Sequence, residues 1–228
     1  MKCILSAIVV LLAVATARAG EISFVGFTGD ADVGITDTKT YTGAVRAWGG
    51  DLAINGVIFR GTDGNTAGNG VAGIVYAFPE VNSYDGANGN TSSFNAEGKV
   101  TEMLSATMVA SNAKSVAVVA VQAQTLTAGT NYEARIYLRS WDDNASRELD
   151  FSFDEGAGKP VSTGVINVDK PSTINAAKFT SNKQAYYISY RYTAVEGKAL
   201  TVTITPEGND NFHFYGFSNE VVPTEVAK

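Results

Sequence analysis

The chain has 228 residues, 45% hydrophobic and 18% charged, and its 17 Lys and Arg against 23 Asp and Glu give a net charge of −6. A surface of that sign repels phosphate backbones and anionic headgroups, and no Lys/Arg cluster offsets it, so nucleic acid is excluded as a partner. A single histidine, His213, and a single cysteine, Cys3, exclude a multi-histidine zinc site and HExxH chemistry.

The N-terminus reads as an export signal over residues 1–19. Met1-Lys2 is a short positive start, Cys3 to Thr16 an almost unbroken apolar run, and Ala17-Arg18-Ala19 a small-x-small cleavage pattern before Gly20. The apolar run is 14 residues, short of the roughly 20 needed to cross a bilayer. No later stretch is long and apolar enough for a membrane helix, so no membrane insertion is expected. Cleavage removes Cys3, so a mature disulfide is not expected. It also removes Lys2 and Arg18, which lowers the basic residues from 17 to 15 against 23 acidic, a net charge near −8. About 200 remaining residues can bury a sufficient core without disulfides.

Strands then follow in series. Glu21–Phe27 and Thr40–Ala47 alternate in polarity, and Asp51–Phe59 carries Asn55-Gly56 as either a bulge or a hairpin turn. Gly61–Asn95 is Gly/Asn/Ser-rich and predicts long loops around one strand at Val71–Phe78. Ala96–Ser111 places Val100, Met103, Leu104, Thr107 and Met108 at helical spacing and predicts one helix, its start weakened by Gly98. Lys114–Gln122 is a continuous Val/Ala strand. Tyr132–Arg139, Glu148–Asp154, Tyr186–Thr193 and Leu200–Ile204 each alternate, and Phe212–Phe217 closes the series. Each strand has one apolar face, and pairing those faces predicts an all-β, antiparallel two-sheet sandwich over residues 20–220, with a tail at 221–228.

Two segments carry candidate chemistry. In Asp30-Ala31-Asp32-Val33-Gly34-Ile35-Thr36-Asp37, alternating oxygen-bearing residues around a glycine are the raw material of a Ca²⁺ loop, with Asp30, Asp32, Thr36 and Asp37 as ligands. The same pattern also suits an Asp-rich turn that caps its own backbone N–H groups. Asp63 and Asp85 offer weaker versions. In Trp141-Asp142-Asp143-Asn144, an indole beside carboxylates and an amide is how a sugar can be held, with Arg139 on the same strand face. Against this stands packing of Trp141, and of Trp48, into the core. His213 alternates with Phe212 and Phe214 and reads as a hydrogen-bonded or exposed histidine. An enzyme would need paired carboxylates, such as Asp142 with Glu148 or Asp150. Their spacing does not distinguish them from a solvated acidic face.

Three places together carry a family resemblance: Phe27–Val45 with Ile54–Phe59, Leu126–Asp143, and Tyr186–Ala194 with Phe212–Glu220. They resemble a group of secreted planctomycete-type bacterial proteins with galactose-binding-like jelly-roll domains. That resemblance implies a jelly-roll sandwich and an extracellular setting, and sugar binding by analogy of fold. The sequence thus points to a secreted non-catalytic binding protein for carbohydrate, with a structural calcium ion. The alternative is a structural or self-assembling protein of an extracellular matrix or surface layer.

Overall fold

The computed structural model describes residues 20–61, 73–78, 81–84, 94–110, 114–141 and 144–223. In chain order the elements are β1 (Glu21–Phe27), β2 (Tyr41–Arg46), β3 (Leu52–Ile54), β4 (Val57–Gly61), β5 (Ile74–Ala77), β6 (Val81–Tyr84), α1 (Lys99–Ser105), β7 (Thr107–Ala110), β8 (Ala117–Val121), β9 (Asn131–Leu138), β10 (Glu148–Asp154), β11 (Val161–Asn167), α2 (Pro171–Ile174), β12 (Ala185–Thr193), β13 (Leu200–Pro206), β14 (His213–Phe214) and β15 (Gly216–Val221). They form a seven-stranded sheet ordered β1-β12-β9-β15-β2-β4-β3, a five-stranded sheet ordered β11-β10-β13-β8-β5, and a small sheet β14-β7-β6. Pairing is antiparallel throughout these ladders except between β2 and β4, which run parallel through Val45↔Arg60 and Arg46↔Gly61.

The two large sheets face each other across one apolar core, the expected sandwich of the jelly-roll kind. Alternation sets the inner faces. In β10, Leu149, Phe151 and Phe153 are buried, and in β13 Leu200, Val202 and Ile204 are buried while the intervening threonines are half-exposed. Phe153 of β10 stacks on Tyr190 of β12 with ring centroids 4.5 Å apart, which ties the layers together. Burying each such aromatic is worth about 1.5–3 kcal/mol.

Local chemistry explains the turns. Asn55 (φ 48°) and Gly56 (φ 83°) both lie in the left-handed region, and Ile54 pairs directly with Val57. This is a two-residue hairpin of the primed type, which Asn-Gly favours; the bulge alternative does not form.

Four expectations need correction. The helix is shorter than Ala96–Ser111: α1 ends at Ser105, and 107–110 is strand β7, paired with β14 and β6. Val100, Met103 and Leu104 do form its buried face, but Thr107 is buried as part of a strand. Within Gly61–Asn95 there are two described strands, β5 and β6, and the loops around them lie largely outside the described residues. β11 and the four-residue α2 had no sequence signal that the alternation rule could catch. Finally, Phe212–Phe217 is not one strand. It splits into β14 and the start of β15, and β15 lies at the centre of the seven-stranded sheet between β9 and β2.

Candidate functional site

The Asp-rich turn after β1 is held by its own carboxylates. Asp32 Oδ1 accepts from the backbone N–H of Thr28 and of Gly29, both at 2.9 Å, and Oδ2 accepts from the Thr28 hydroxyl at 2.8 Å. What burial it has raises the Asp32 pKa, but the hydrogen bonds from Thr28 and Gly29 outweigh that and hold it below its ordinary value. Asp30 reaches across the chain to α1, where its carboxylate accepts from the N–H of Lys99 and of Val100, each at 2.7 Å. These are the orphan donors of a helix start, capped by a residue 69 positions away. The helix's own N-cap, Gly98, provides no side-chain bond and sits at φ 83°. A Cβ there would lie 2.5 Å from Asp30 Oδ2, so only glycine admits the carboxylate.

Thr36 Oγ1 lies 3.1 Å from Thr38 Oγ1, and Asp37 is exposed. Among the described residues, no three His, Cys, Asp or Glu side chains gather as a metal would need. The Asp30 and Asp32 oxygens accept from backbone N–H groups, as turn capping requires.

Trp141 packs against Arg139 and His213. Arg139, the expected ligand contact on the strand face of Trp141, is fully buried. Its Nε donates to Leu104 O at 2.7 Å and Nη1 to Ser140 O at 2.9 Å. Its guanidinium carbon sits 4.7 to 5.1 Å from the rings of Phe94, Tyr215 and Trp141. Trp141 is half-buried, with one face toward that guanidinium and its ring edge-on to His213 at 4.7 Å. A sugar cannot lie flat on that face. His213 is itself buried, and burial together with Arg147 and Arg139 pushes its pKa well below 6.5. It is a neutral packing residue, with Nδ1 3.3 Å from Tyr215 Oη. Asn144 is exposed, and Asp142 and Asp143 lie outside the described residues.

The structure places an open polar site elsewhere, on the outer face of the seven-stranded sheet. Register aligns Glu21, Arg191, Glu133 and Glu220 in one row across β1, β12, β9 and β15, and Ser23, Ser189, Arg135 and Ser218 in the next. Tyr187 and Tyr137 follow in a third row. At that end the face is covered, because Phe27 and Phe59 pack edge-on against Tyr137 at 6.5 and 5.8 Å. The charged end remains open as a cleft of about 310 Å³, lined by Glu21, Ser23, Val25, Glu133, Arg135, Tyr187, Ser189 and Arg191.

Its floor is a fixed ionic network. Arg135 donates through Nε to Glu133 at 3.0 Å, through Nη2 to Glu220 at 2.7 Å and through Nη1 to Gly34 O at 3.0 Å. Glu133 also accepts from the Ser189 hydroxyl at 2.7 Å and from Arg191 at 3.3 Å. Lys39 closes the far side on Glu220 and Gly34 O. Burial works to raise the Glu133 pKa, but Arg135, Ser189 and Arg191 outweigh it and hold the carboxyl ionised below its ordinary range. Such a group accepts hydrogen bonds and has no proton to donate near neutral pH. The cleft can therefore bind, but Glu133 cannot serve as its general acid.

Sequence reasoning missed this site because alternation puts Glu133 and Arg135 on one face of β9 but does not give the register that aligns them with β1 and β12. The legible signal was both signs of charge alternating on β9, matched at the same spacing by Ser189 and Arg191 on β12.

No family model matches the chain, and no curated protein does. Among solved structures it is similar to one in the crystal structure of plant peptide RALF23 in complex with FER and LLG2, at 10% identity over 88% of this chain and 55% of that one, with a TM-score of 0.51. It is also similar to the ANX2 ectodomain from Arabidopsis thaliana, at 10% identity over 81% of this chain and 50% of that one, TM-score 0.47. A third match is the CBM22-1–GH10 modules of xylanase 10B from Clostridium thermocellum, complexed with xylohexaose, at 13% identity over 72% and 28% of the two chains, TM-score 0.37. The chain spans about half the length of the first two. At such identities the likeness concerns the fold alone, and the first match agrees with the sandwich described above.

Proposed function

We propose that this protein is an exported, non-catalytic binding module for carbohydrate, and that its ligand sits in the cleft over β1, β12 and β9. The observation that carries the reading is the cleft's lining, where carboxylates, guanidinium groups and serine hydroxyls alternate on a rigid sheet floor. Sugar hydroxyls both donate and accept, and fixed donors and acceptors of both kinds suit them. The leader pattern at residues 1–19 supports export.

Retention on a panel of immobilised polysaccharides tests this, comparing wild type with Arg191→Ala and Trp141→Ala. Arg191 is largely exposed, with 61% side-chain accessibility, so its loss leaves the fold intact. Retention that weakens in Arg191→Ala and persists in Trp141→Ala is expected. Absence of retention on every polysaccharide, or equal retention by Arg191→Ala, would overturn the reading.

A further inference from the structure

The geometry points to an uncharged sugar residue as the occupant of the cleft, recognised through adjacent hydroxyls and not by stacking. The inference rests on the carbohydrate reading above and narrows its ligand.

Charge balance is the first argument. The lining holds two carboxylates, Glu21 and Glu133, and two guanidinium groups, Arg135 and Arg191. Directly behind it, Glu220 is paired with Lys39 and with Arg135. Each buried charge is already spoken for: Glu133 by Arg135, Ser189 and Arg191, and Arg135 by Glu133, Glu220 and Gly34 O. A ligand carboxylate could reach Arg135 only by breaking one of these pairs, which leaves a buried charge without its partner. The chain's net charge of −6 further opposes an anion.

The second argument is the absence of a stacking platform within the cleft. Tyr187 is the one aromatic ring among the described residues that line it, and the Arg135 guanidinium carbon lies 4.8 Å over that ring's centroid. The ring's face is occupied, so an apolar sugar face has nowhere to lie.

What the rim does present is a matched pair. Glu21 and Arg191 stand opposite each other in the β1–β12 register, with Ser23 opposite Ser189 in the next row on the same face. A carboxylate accepts from two neighbouring hydroxyls, and a guanidinium donates to two neighbouring oxygens. Two adjacent hydroxyls of one sugar ring satisfy both. The cleft, at about 310 Å³, is at the small end of the roughly 300–1,000 Å³ of ligand pockets, which fits a short ligand.

Isothermal titration of the folded protein with galacto-oligosaccharide, cello-oligosaccharide and oligogalacturonate, at low and high salt, tests the inference. A neutral oligosaccharide is expected to bind with affinity unchanged to within about twofold by salt. Oligogalacturonate is expected to bind at least about tenfold more weakly, and Glu21→Lys to narrow or reverse that gap, because it makes the lining net positive. Tighter binding of oligogalacturonate, weakening as salt rises, would overturn the inference and leave the carbohydrate reading standing. Binding of no glycan at all would overturn both.

Discussion

Replacing Asp30 with alanine separates the two chemistries open to the Asp-rich turn. In the structure its carboxylate caps α1, accepting from two N–H groups at 2.7 Å. Loss of a side-chain cap costs about 1 kcal/mol, within a range of roughly 0.5–2. Loss of a carboxylate at a helix start adds about 0.3–1 kcal/mol where it is exposed. The α1 start is partly exposed, so a total of about 1–2 kcal/mol is expected. For a domain of this size each kcal/mol moves the melting temperature by about 2–4 °C, giving a fall of roughly 2–8 °C. Differential scanning fluorimetry with EDTA and with millimolar calcium is the assay. The capping account requires the same fall in both conditions and no effect of EDTA on the wild type. A wild-type melting temperature that drops in EDTA, with Asp30→Ala insensitive to the chelator, would refute it and assign the turn to Ca²⁺ instead.

Acid should weaken the fold through the cleft floor. The Glu133 carboxyl is depressed in the folded state relative to about 4.3 in the unfolded chain. Its contribution is therefore complete above that value and is lost as pH falls through the folded-state value. Urea midpoints measured from pH 7 down to pH 3 should show a decline that Glu133→Gln makes shallower. The Arg135→Met variant leaves Glu133 and Glu220 without their shared partner and should cost about 3–5 kcal/mol by urea denaturation. A loss below about 1 kcal/mol would mean the network is solvated. His213, buried and kept neutral, should leave Trp141 fluorescence flat between pH 8 and 5, whereas a sigmoid near pH 6 would show a solvated imidazole.

Alternation was a sound guide wherever one face of a strand met the opposite sheet. Leu149, Phe151 and Phe153 in β10 and Leu200, Val202 and Ile204 in β13 are buried as their period of two requires. It failed where the second face was also covered. Arg135, Tyr137 and Arg139 look solvent-facing by that rule. In the fold the 28–40 loop, the β3–β4 hairpin and the packing around α1 bury all three. Such covering comes from segments far away in sequence, so no local pattern announces it. The cleft was hidden for the same reason, since its residues come from β1, β9 and β12 and only register aligns them. The helical spacing that ran on to Met108 was a coincidence of composition. Ser105 ends α1, and Ala106 turns extended at ψ 132° so that β7 can pair with β14.

The margins of the two large sheets bear on how the molecule behaves in a crowd. β3 has three residues and β5 four, β10 and β11 pair across a register break between Asp150 and Ser152, and Lys178 donates to the Phe24 carbonyl on β1. Short, bulged or lysine-guarded borders are the features that discourage an incoming strand from pairing. At high concentration these borders work against fibril growth and favour contacts made through side chains.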